Sequence, residues 1–148
     1  MTMNLLLSIA GIAVNIFGFF MVTRQIRMQA LATRGETYTS LCGLSYDILK
    51  MIFDHPLLFA YVYEGKRLTP DTPEHERVQV LICCEMIANY CDNVTLQREN
   101  IPTEIWLRWR AFIREQLLAS TELTAFIRQY EGWYSPDLGA IVQEIAHT

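Results

Sequence analysis

The sequence predicts an all-α protein in which one N-terminal transmembrane helix continues into the first helix of a small cytoplasmic helical bundle. An uncharged, mostly apolar run of 18 residues extends from Leu5 to Val22, close to the ~20 residues that a helix needs to cross a bilayer. Further along, apolar side chains recur at helical spacing, and the sequence has neither sustained β-type alternation nor a fixed-period repeat. We expect a transmembrane helix at residues 1–23 and a cytoplasmic helical domain at residues 24–148.

The charges around the apolar run set its expected direction. Met1–Asn4 carries no charged side chain, whereas Arg24 and Arg27 follow the run directly. A secretory signal peptide has a basic segment before its apolar stretch and a small-residue cleavage motif after it, so this run does not fit one. Because lysine and arginine favour the cytoplasmic side of a span, we expect the N-terminus outside and residues 24–148 in the cytoplasm.

The first helix is expected to continue from the span to about Phe53. No proline occurs before Pro56, and one helical face is marked by spacings of three, four and seven residues. The residues on that face are Leu31, Tyr38, Leu41, Cys42, Ser45, Ile48, Leu49 and Ile52. Asp54-His55-Pro56 predicts the boundary, because the residue before a proline resists helical angles. A short helix at Pro56–Glu64 follows.

The third helix is expected at Pro73–Gln97, after a loop at Gly65–Asp71. Thr72 before Pro73 is a typical helix start, with a capping hydroxyl, a first-turn proline and acidic residues near the positive end of the helix dipole. The apolar positions expected along this helix are Val78, Leu81, Ile82, Ile87 and Cys91.

Three more helices complete the expected bundle. Asn100-Ile101-Pro102 restarts the chain, and the next helix has a core-facing stripe made of Trp106, Trp109, Ile113 and Leu117. Ser120 or Thr121 caps a short helix that ends at Arg128, and Ser135-Pro136-Asp137 begins a last helix at Pro136–Ala146.

Net charge excludes one class of partner. Residues 1–35 carry three basic and no acidic side chains, whereas residues 36–148 carry 9 basic and 16 acidic ones, so the total of −4 divides into +3 and −7. Affinity for nucleic acid comes mainly from neutralising phosphates with lysine and arginine. We therefore expect no nucleic-acid partner.

The four cysteines, Cys42, Cys83, Cys84 and Cys91, have neither paired CxxC spacing nor a nearby histidine cluster. Zinc and iron–sulfur sites lack their usual ligands here. We expect no metal and no cofactor, and most of these thiols are expected to be small buried side chains.

A stripe of small and polar residues runs along the predicted span: Ser8, Gly11, Asn15 and Gly18. Small residues let a second helix approach closely, and an amide in hydrocarbon gains from a partner across the interface. The stripe predicts a packing face for a second copy or another membrane protein. An anchor that merely tolerates one asparagine is the alternative.

Within the domain, Glu85 and Asp92 share one side of the third helix, and Arg110 lies within the tryptophan stripe of the fourth. If the two stripes face each other, Arg110 pairs with one of these carboxylates, because a buried charge needs a counter-ion. We favour a structural ion pair over a polar ligand pocket.

The aromatic residues near the C-terminus form a second candidate cluster, made of Tyr130, Trp133 and Tyr134 with Trp106 and Trp109. A ligand cage and a membrane-interface belt are the alternatives to packing, but large aromatic side chains usually serve packing. We expect core and edge packing.

Four short pieces carry a family resemblance: Arg24-Gln25-Ile26-Arg27, Asp54-His55-Pro56, Glu104-Ile105-Trp106 through Trp109, and Trp133-Tyr134-Ser135-Pro136. With these pieces the chain resembles a group of uncharacterised bacterial single-span membrane proteins with a small cytoplasmic helical domain of unknown function. The resemblance covers most of residues 20–145 and implies a place in the bacterial cytoplasmic (inner) membrane. It carries over no catalytic residue.

These observations favour a membrane-anchored, non-catalytic interaction module, such as an accessory subunit, assembly factor or scaffold of a membrane complex. Its expected partners are the lipid bilayer and another membrane protein or a second copy. Nucleophilic catalysis needs a nucleophile with a positioned base, and the three histidines, His55, His75 and His147, lie apart in sequence. Two alternatives stay open: a self-associating membrane sensor or effector in stress or defence, and a small-molecule-binding helical bundle.

Overall fold

A computed structural model describes the backbone of residues 2–146 and the side chains of residues 18–30, 32, 33 and 35–146. The helices in this range are α1 (Thr2–Asp54), α2 (Leu57–Tyr63), α3 (Glu74–Leu96), α4 (Thr103–Ala119), α5 (Thr121–Gln129) and α6 (Pro136–Ala146). Single 3₁₀ turns lie at Arg98–Asn100 and Glu131–Trp133. The described range contains no strand, so the all-α prediction is confirmed.

Helix ends follow the predicted boundaries closely, and two caps work as expected. The Ser120 hydroxyl accepts a hydrogen bond from the Leu123 amide at 3.2 Å, and the Ser135 hydroxyl accepts one from the Leu138 amide at 3.3 Å. The prediction that Thr72 caps α3 is wrong. Its hydroxyl accepts the Thr69 amide at 2.9 Å and so closes the preceding loop, and α3 begins after Pro73 without a side-chain cap.

The chain divides into two compact units, residues 1–38 and residues 39–148. The composition of the sequence predicts a boundary between residues 23 and 24, at the end of the apolar run. In the first unit, the described side chains of residues 18–30 are exposed, apart from a half-buried Thr23.

Among the residues that the structure describes, no helix combines the length and the apolar character needed to cross a membrane. The side chains of residues 5–17, most of the predicted span, lie outside the described residues.

The second unit is a helical bundle built around α3, which contacts α2, α4, α5 and α6. Its centre includes the following side chains, each with at most 1% exposure: Leu58, Val80, Cys91, Val94, Ile113, Leu117, Leu123, Ile127 and Leu138. Each is an apolar residue or a free thiol, which behaves as a small hydrophobe when buried. The predicted helical bundle is confirmed.

The buried face of α3 differs from the predicted one. Ile87 and Cys91 are buried as expected, but Val78, Leu81 and Ile82 are exposed. The core instead uses Val80, Cys83, Cys84, Ala88 and Val94 on the opposite side. These mostly small side chains let four neighbouring helices approach α3, whereas the sequence pattern alone gave more weight to the larger aliphatic residues.

The part of α1 that belongs to the second unit buries one narrow stripe. Leu41, Ile48 and Ile52 are buried, while Cys42 and Leu49 from the same predicted face are exposed. Ser45 is half-buried between them. The predicted face was therefore too wide, and part of it stays open to solvent.

The loop between α2 and α3 is tied down at several points. Gly65 has a φ of 69°, in the left-handed region that favours glycine. Beyond it, the Leu68 amide donates to Glu122 Oε1 at 2.9 Å, and Lys66 Nζ lies 2.9 Å from Glu76 Oε1. The Tyr61 hydroxyl donates to the same carboxylate oxygen at 2.7 Å. These contacts hold the end of α2 and the loop after it against α3 and α5.

Candidate functional site

The bundle has an apolar groove on its surface. A pocket of about 200 Å³ is lined by Ser45, Ile48, Leu49, Tyr63, Ile87, Tyr90, Phe112 and Gln116. A second pocket of about 300 Å³ is lined by Tyr90, Arg108, Trp109 and Phe112. The two pockets are neighbours, because they share Tyr90 and Phe112, and we call them together the apolar groove.

Two walls of the groove come from α1 and α4. On α1, burial of Ile48 anchors the helix and leaves Leu49 facing outward, because consecutive residues point about 100° apart on a helix. On α4, Ile113 is fully buried and its neighbour Phe112 is 47% exposed for the same reason. The groove therefore shows large apolar surface to the outside.

The end of α2 supplies Tyr63, and α4 fixes that end. Gln116 Nε2 donates to the Val62 carbonyl at 3.0 Å, and the Ser120 hydroxyl donates to the Tyr61 carbonyl at 2.8 Å. Carbonyls in the last turn of a helix have no intrahelical partner, so these buried side chains complete the hydrogen bonding of α2. The same contacts position Tyr63 at the rim of the groove.

The floor of the groove comes from α3, through Ile87 and Tyr90. The Tyr90 ring packs against Trp109 with ring centroids 5.8 Å apart. At the rim, burial raises the pKa of the Tyr63 hydroxyl, and the nearby Cys83 thiol raises it further. Tyr63 is therefore a neutral phenol at physiological pH, able to donate a hydrogen bond beside an apolar contact.

The lining of the groove is mostly apolar. Among the residues that line it, Arg108 carries the one formal charge. The Ser45 hydroxyl donates to the Cys42 carbonyl of its own helix at 3.1 Å, and the described residues that line the groove include no histidine or carboxylate. Within the described residues, no cluster of three or more histidine, cysteine, aspartate or glutamate side chains could hold a metal ion.

The predicted pairing of Arg110 with Glu85 or Asp92 does not form. Arg110 Nη2 contacts the Glu144 carboxylate of α6 at 2.5 and 2.6 Å, and both side chains are partly exposed. Asp92 Oδ1 instead accepts the Ser135 amide at 2.7 Å and so holds the start of α6. Glu85 lies exposed on α3. The reason is the α4–α6 contact, which brings an acidic residue from a distant part of the chain to Arg110.

The predicted burial of most cysteines is confirmed. Cys83, Cys84 and Cys91 are buried, and all four thiols are free. Burial raises the pKa of Cys83 to about 11 and the pKa values of Cys84 and Cys91 to about 12. A protonated buried thiol is a poor nucleophile, so these residues serve packing.

The aromatic cluster does not form one cage. Trp106 is buried, with the Arg98 guanidinium 5.8 Å from its ring centroid. Tyr130 stacks between Phe126 and Trp133, at centroid distances of 4.8 and 4.6 Å. Trp133 itself is exposed at the end of this stack. Core and edge packing is therefore the observed arrangement, with Trp109 at the edge of the apolar groove.

The predicted packing stripe falls mainly outside the described residues. The side chains of Ser8, Gly11 and Asn15 are among those not described, and only Gly18 of the stripe is described. A Cβ placed on Gly18 meets no atom within 4 Å. The stripe remains a prediction.

The sequence did not single out the apolar groove. The helical spacing places Leu49 on the core face of α1, and Phe112 is not among the predicted site residues. A signal was present: Phe112 lies three residues after Trp109 and next to Ile113, so the apolar face of α4 is too wide for the core alone to cover.

Comparison with protein-family models, curated proteins and solved structures finds no match to this chain.

Proposed function

We propose that this chain is a membrane-held, non-catalytic interaction module whose helical bundle binds a partner protein through the apolar groove. The observation that carries this proposal is the exposure of Leu49, Tyr63 and Phe112 around one depression. Clustered apolar and aromatic side chains of this kind are typical of the energetic centre of protein interfaces. Polar groups at the edge, such as Arg108, would complete the rim.

The size of the pocket beside Leu49 favours a protruding side chain over a large ligand. A cavity of ~150 Å³ lined by aliphatic and aromatic residues can hold a benzene ring, whereas sites for drug-sized ligands are ~300–1,000 Å³. The pocket beside Leu49 has about 200 Å³. It matches one aromatic or leucine side chain presented by a partner helix, the usual mode of helix-in-groove recognition.

Attachment to a membrane rests on the sequence. The run from Leu5 to Val22 contains no charged residue, and Arg24 and Arg27 follow it directly. This pattern supports an N-terminal span with the bundle on the cytoplasmic side of a bacterial inner membrane. An accessory subunit, assembly factor or scaffold of a membrane complex has this combination of an anchor and a docking domain.

The experiment is recovery of partners with the full chain from membranes in a mild detergent, comparing Phe112→Ala with Leu118→Ala. Both residues lie on α4, with 47% and 49% of their surface exposed, and Leu118 does not line the groove. Loss of an interface hot spot corresponds to ~2 kcal/mol or more, roughly a thirtyfold loss of affinity. We expect Phe112→Ala to lose the partner and Leu118→Ala to retain it.

A second matched pair tests the α1 wall of the groove. Leu49→Ala should weaken partner recovery, whereas Leu44→Ala, also exposed on α1 but outside the groove, should not. Equal recovery with all four variants would contradict a docking role for the groove. Recovery of a second copy alone would instead support the self-associating sensor, and failure of the chain to sediment with membranes would contradict the anchor.

A further inference from the structure

We propose that residues 19–28 of α1 cross from the hydrocarbon to the headgroups of an anionic lipid bilayer, with Arg24 and Arg27 bound to lipid phosphates. The inference rests on the proposed function, because it names the class of lipid that holds the chain at its membrane. The argument uses the described side chains of this segment and their contacts.

The first step is that apolar side chains surround the helix. Phe19, Phe20, Met21 and Val22 are all exposed, by between 47% and 77%. Consecutive helical residues point about 100° apart, so these four side chains cover the full circumference. A protein partner or a second copy covers one side of a helix, whereas lipid surrounds it. A helix that is apolar on all sides is typical of a membrane environment.

The second step concerns Thr23, the first polar side chain after this apolar turn. Its hydroxyl donates to the Phe19 carbonyl one turn earlier, at 2.8 Å. The donor is therefore satisfied within the helix and needs no water, which is the condition for a hydroxyl at membrane depth. The segment compatible with hydrocarbon thus continues through Thr23.

The third step is the change at Arg24. Arg24 and Arg27 are exposed, and neither forms an ion pair with any described residue. Residues 1–35 contain no acidic side chain that could neutralise them. Three residues apart on a helix, they lie within about 60° of each other and can reach neighbouring headgroups. Guanidinium groups bind phosphate oxygens in a bidentate manner, so anionic lipids fit this position.

The test uses the full chain in mild detergent, offered to an equal mixture of two kinds of vesicle of different density that compete for it as the detergent is removed. One contains phosphatidylcholine alone, and the other also contains phosphatidylglycerol as an anionic component. Each basic residue next to an anionic membrane contributes ~1 kcal/mol, roughly a fivefold change in partitioning. For two arginines we expect roughly 20- to 30-fold more chain to float with the anionic vesicles, and this preference should decrease at high salt.

Two double variants locate the effect. Arg24→Gln with Arg27→Gln should abolish the preference for anionic vesicles. Arg67→Gln with Arg128→Gln removes the same charge from exposed positions outside the apolar groove and should leave the preference unchanged. Flotation with both vesicles to the same extent would overturn this inference and leave membrane attachment standing. Flotation with neither kind of vesicle would overturn the proposed membrane attachment as well. An unchanged preference in the Arg24/Arg27 double variant would also overturn this inference, because other charges would then cause the preference for anionic vesicles.

Discussion

Residues 18–30 of α1 and the bundle of residues 39–146 are both helical and rich in apolar side chains, yet they use those side chains in opposite ways. In the first region Phe19, Phe20 and Ile26 are exposed. In the second, Ile113, Leu123 and Leu138 are entirely buried. A helical pattern in the sequence therefore predicts which residues share a face. Which of these faces is buried depends on the helices that pack against it. Apolar side chains that no described helix covers stay exposed.

The largest expected effect is the difference in stability between a substitution in the bundle and one in residues 18–30. Ile113→Ala removes a fully buried side chain from the bundle and should lower the free energy of unfolding by about 3 kcal/mol, through lost burial and a residual cavity. Phe19→Ala, at a residue 77% exposed, should change it by less than about 0.5 kcal/mol. Urea unfolding of the full chain in mild detergent measures both. Similar losses from the two variants would show that Phe19 packs against protein.

A smaller effect distinguishes long-range from local hydrogen bonds. The Ser120 hydroxyl caps α5 and also donates to the Tyr61 carbonyl, so Ser120→Ala should destabilise the bundle by about 2 kcal/mol. The Thr23 hydroxyl bonds within its own helix, and Thr23→Ala should leave bundle stability unchanged. The urea midpoints of the two variants provide the measurement. A wild-type midpoint for Ser120→Ala would contradict its assigned role.

Two glycines give a third comparison. Gly65 has a positive φ, and an added Cβ would lie 3.4 Å from the Ala119 carbonyl oxygen, so Gly65→Ala should destabilise the bundle by about 1 kcal/mol. Gly18 lies within α1 with open space around it, and alanine there should favour the helix locally by up to about 1 kcal/mol. Thermal unfolding of the bundle should respond to Gly65→Ala alone. A loss of bundle stability in Gly18→Ala would link the two regions.

The smallest expected effect is a dependence on acid pH. Hydrogen bonds from Lys66, and then from Tyr61, lower the pKa of the Glu76 carboxyl below its usual value of 4.5. A lowered carboxyl pKa adds stability above the unfolded-state pKa, and that stability is lost as the pH falls through the folded-state value. Glu76→Gln should therefore be less stable than wild type at pH 7, and the two should converge in acid.

Urea unfolding across this pH range gives the measurement, and Glu74→Gln is the control because Glu74 is exposed, with Arg77 3.8 Å away. A constant difference in stability between wild type and Glu76→Gln down to the lowest pH would contradict the assigned pKa shift.

Residues 1–35 contain no acidic side chain, so this region should keep its charge across the same acid pH range. Vesicle flotation should therefore show no loss of binding by this segment.

Prediction from sequence succeeded best where the signal was local. Prolines and hydroxyl caps marked the starts of α5 and α6, because a cap depends on residues three positions apart. The stripe from Trp106 to Leu117 was assigned correctly because the apolar face of α4 is regular. For α3 the same reasoning failed, since Val78, Leu81 and Ile82 also follow a helical spacing and are exposed.

The ion pair and the groove show why the remaining features escaped prediction. Arg110 and Glu144 are 34 residues apart, and no sequence spacing relates two residues that meet only when α4 and α6 pack. The apolar groove likewise combines α1, the end of α2, α3 and α4. Each of these segments contributes apolar residues of a kind found on most helices. The groove therefore exists only where the four segments meet in the folded structure.

The amino-acid sequence by itself determined the all-α class, most helix boundaries, the division of charge into +3 and −7, and the expectation that cysteines would be buried. These properties depend on composition and on neighbours within about one helical turn. Only the tertiary structure decided which face of α3 became the core, which carboxylate met Arg110, and which apolar side chains stayed open around Tyr90 and Phe112. Those outcomes depend on which helices pack together, because burial and pairing are properties of contacts between distant segments.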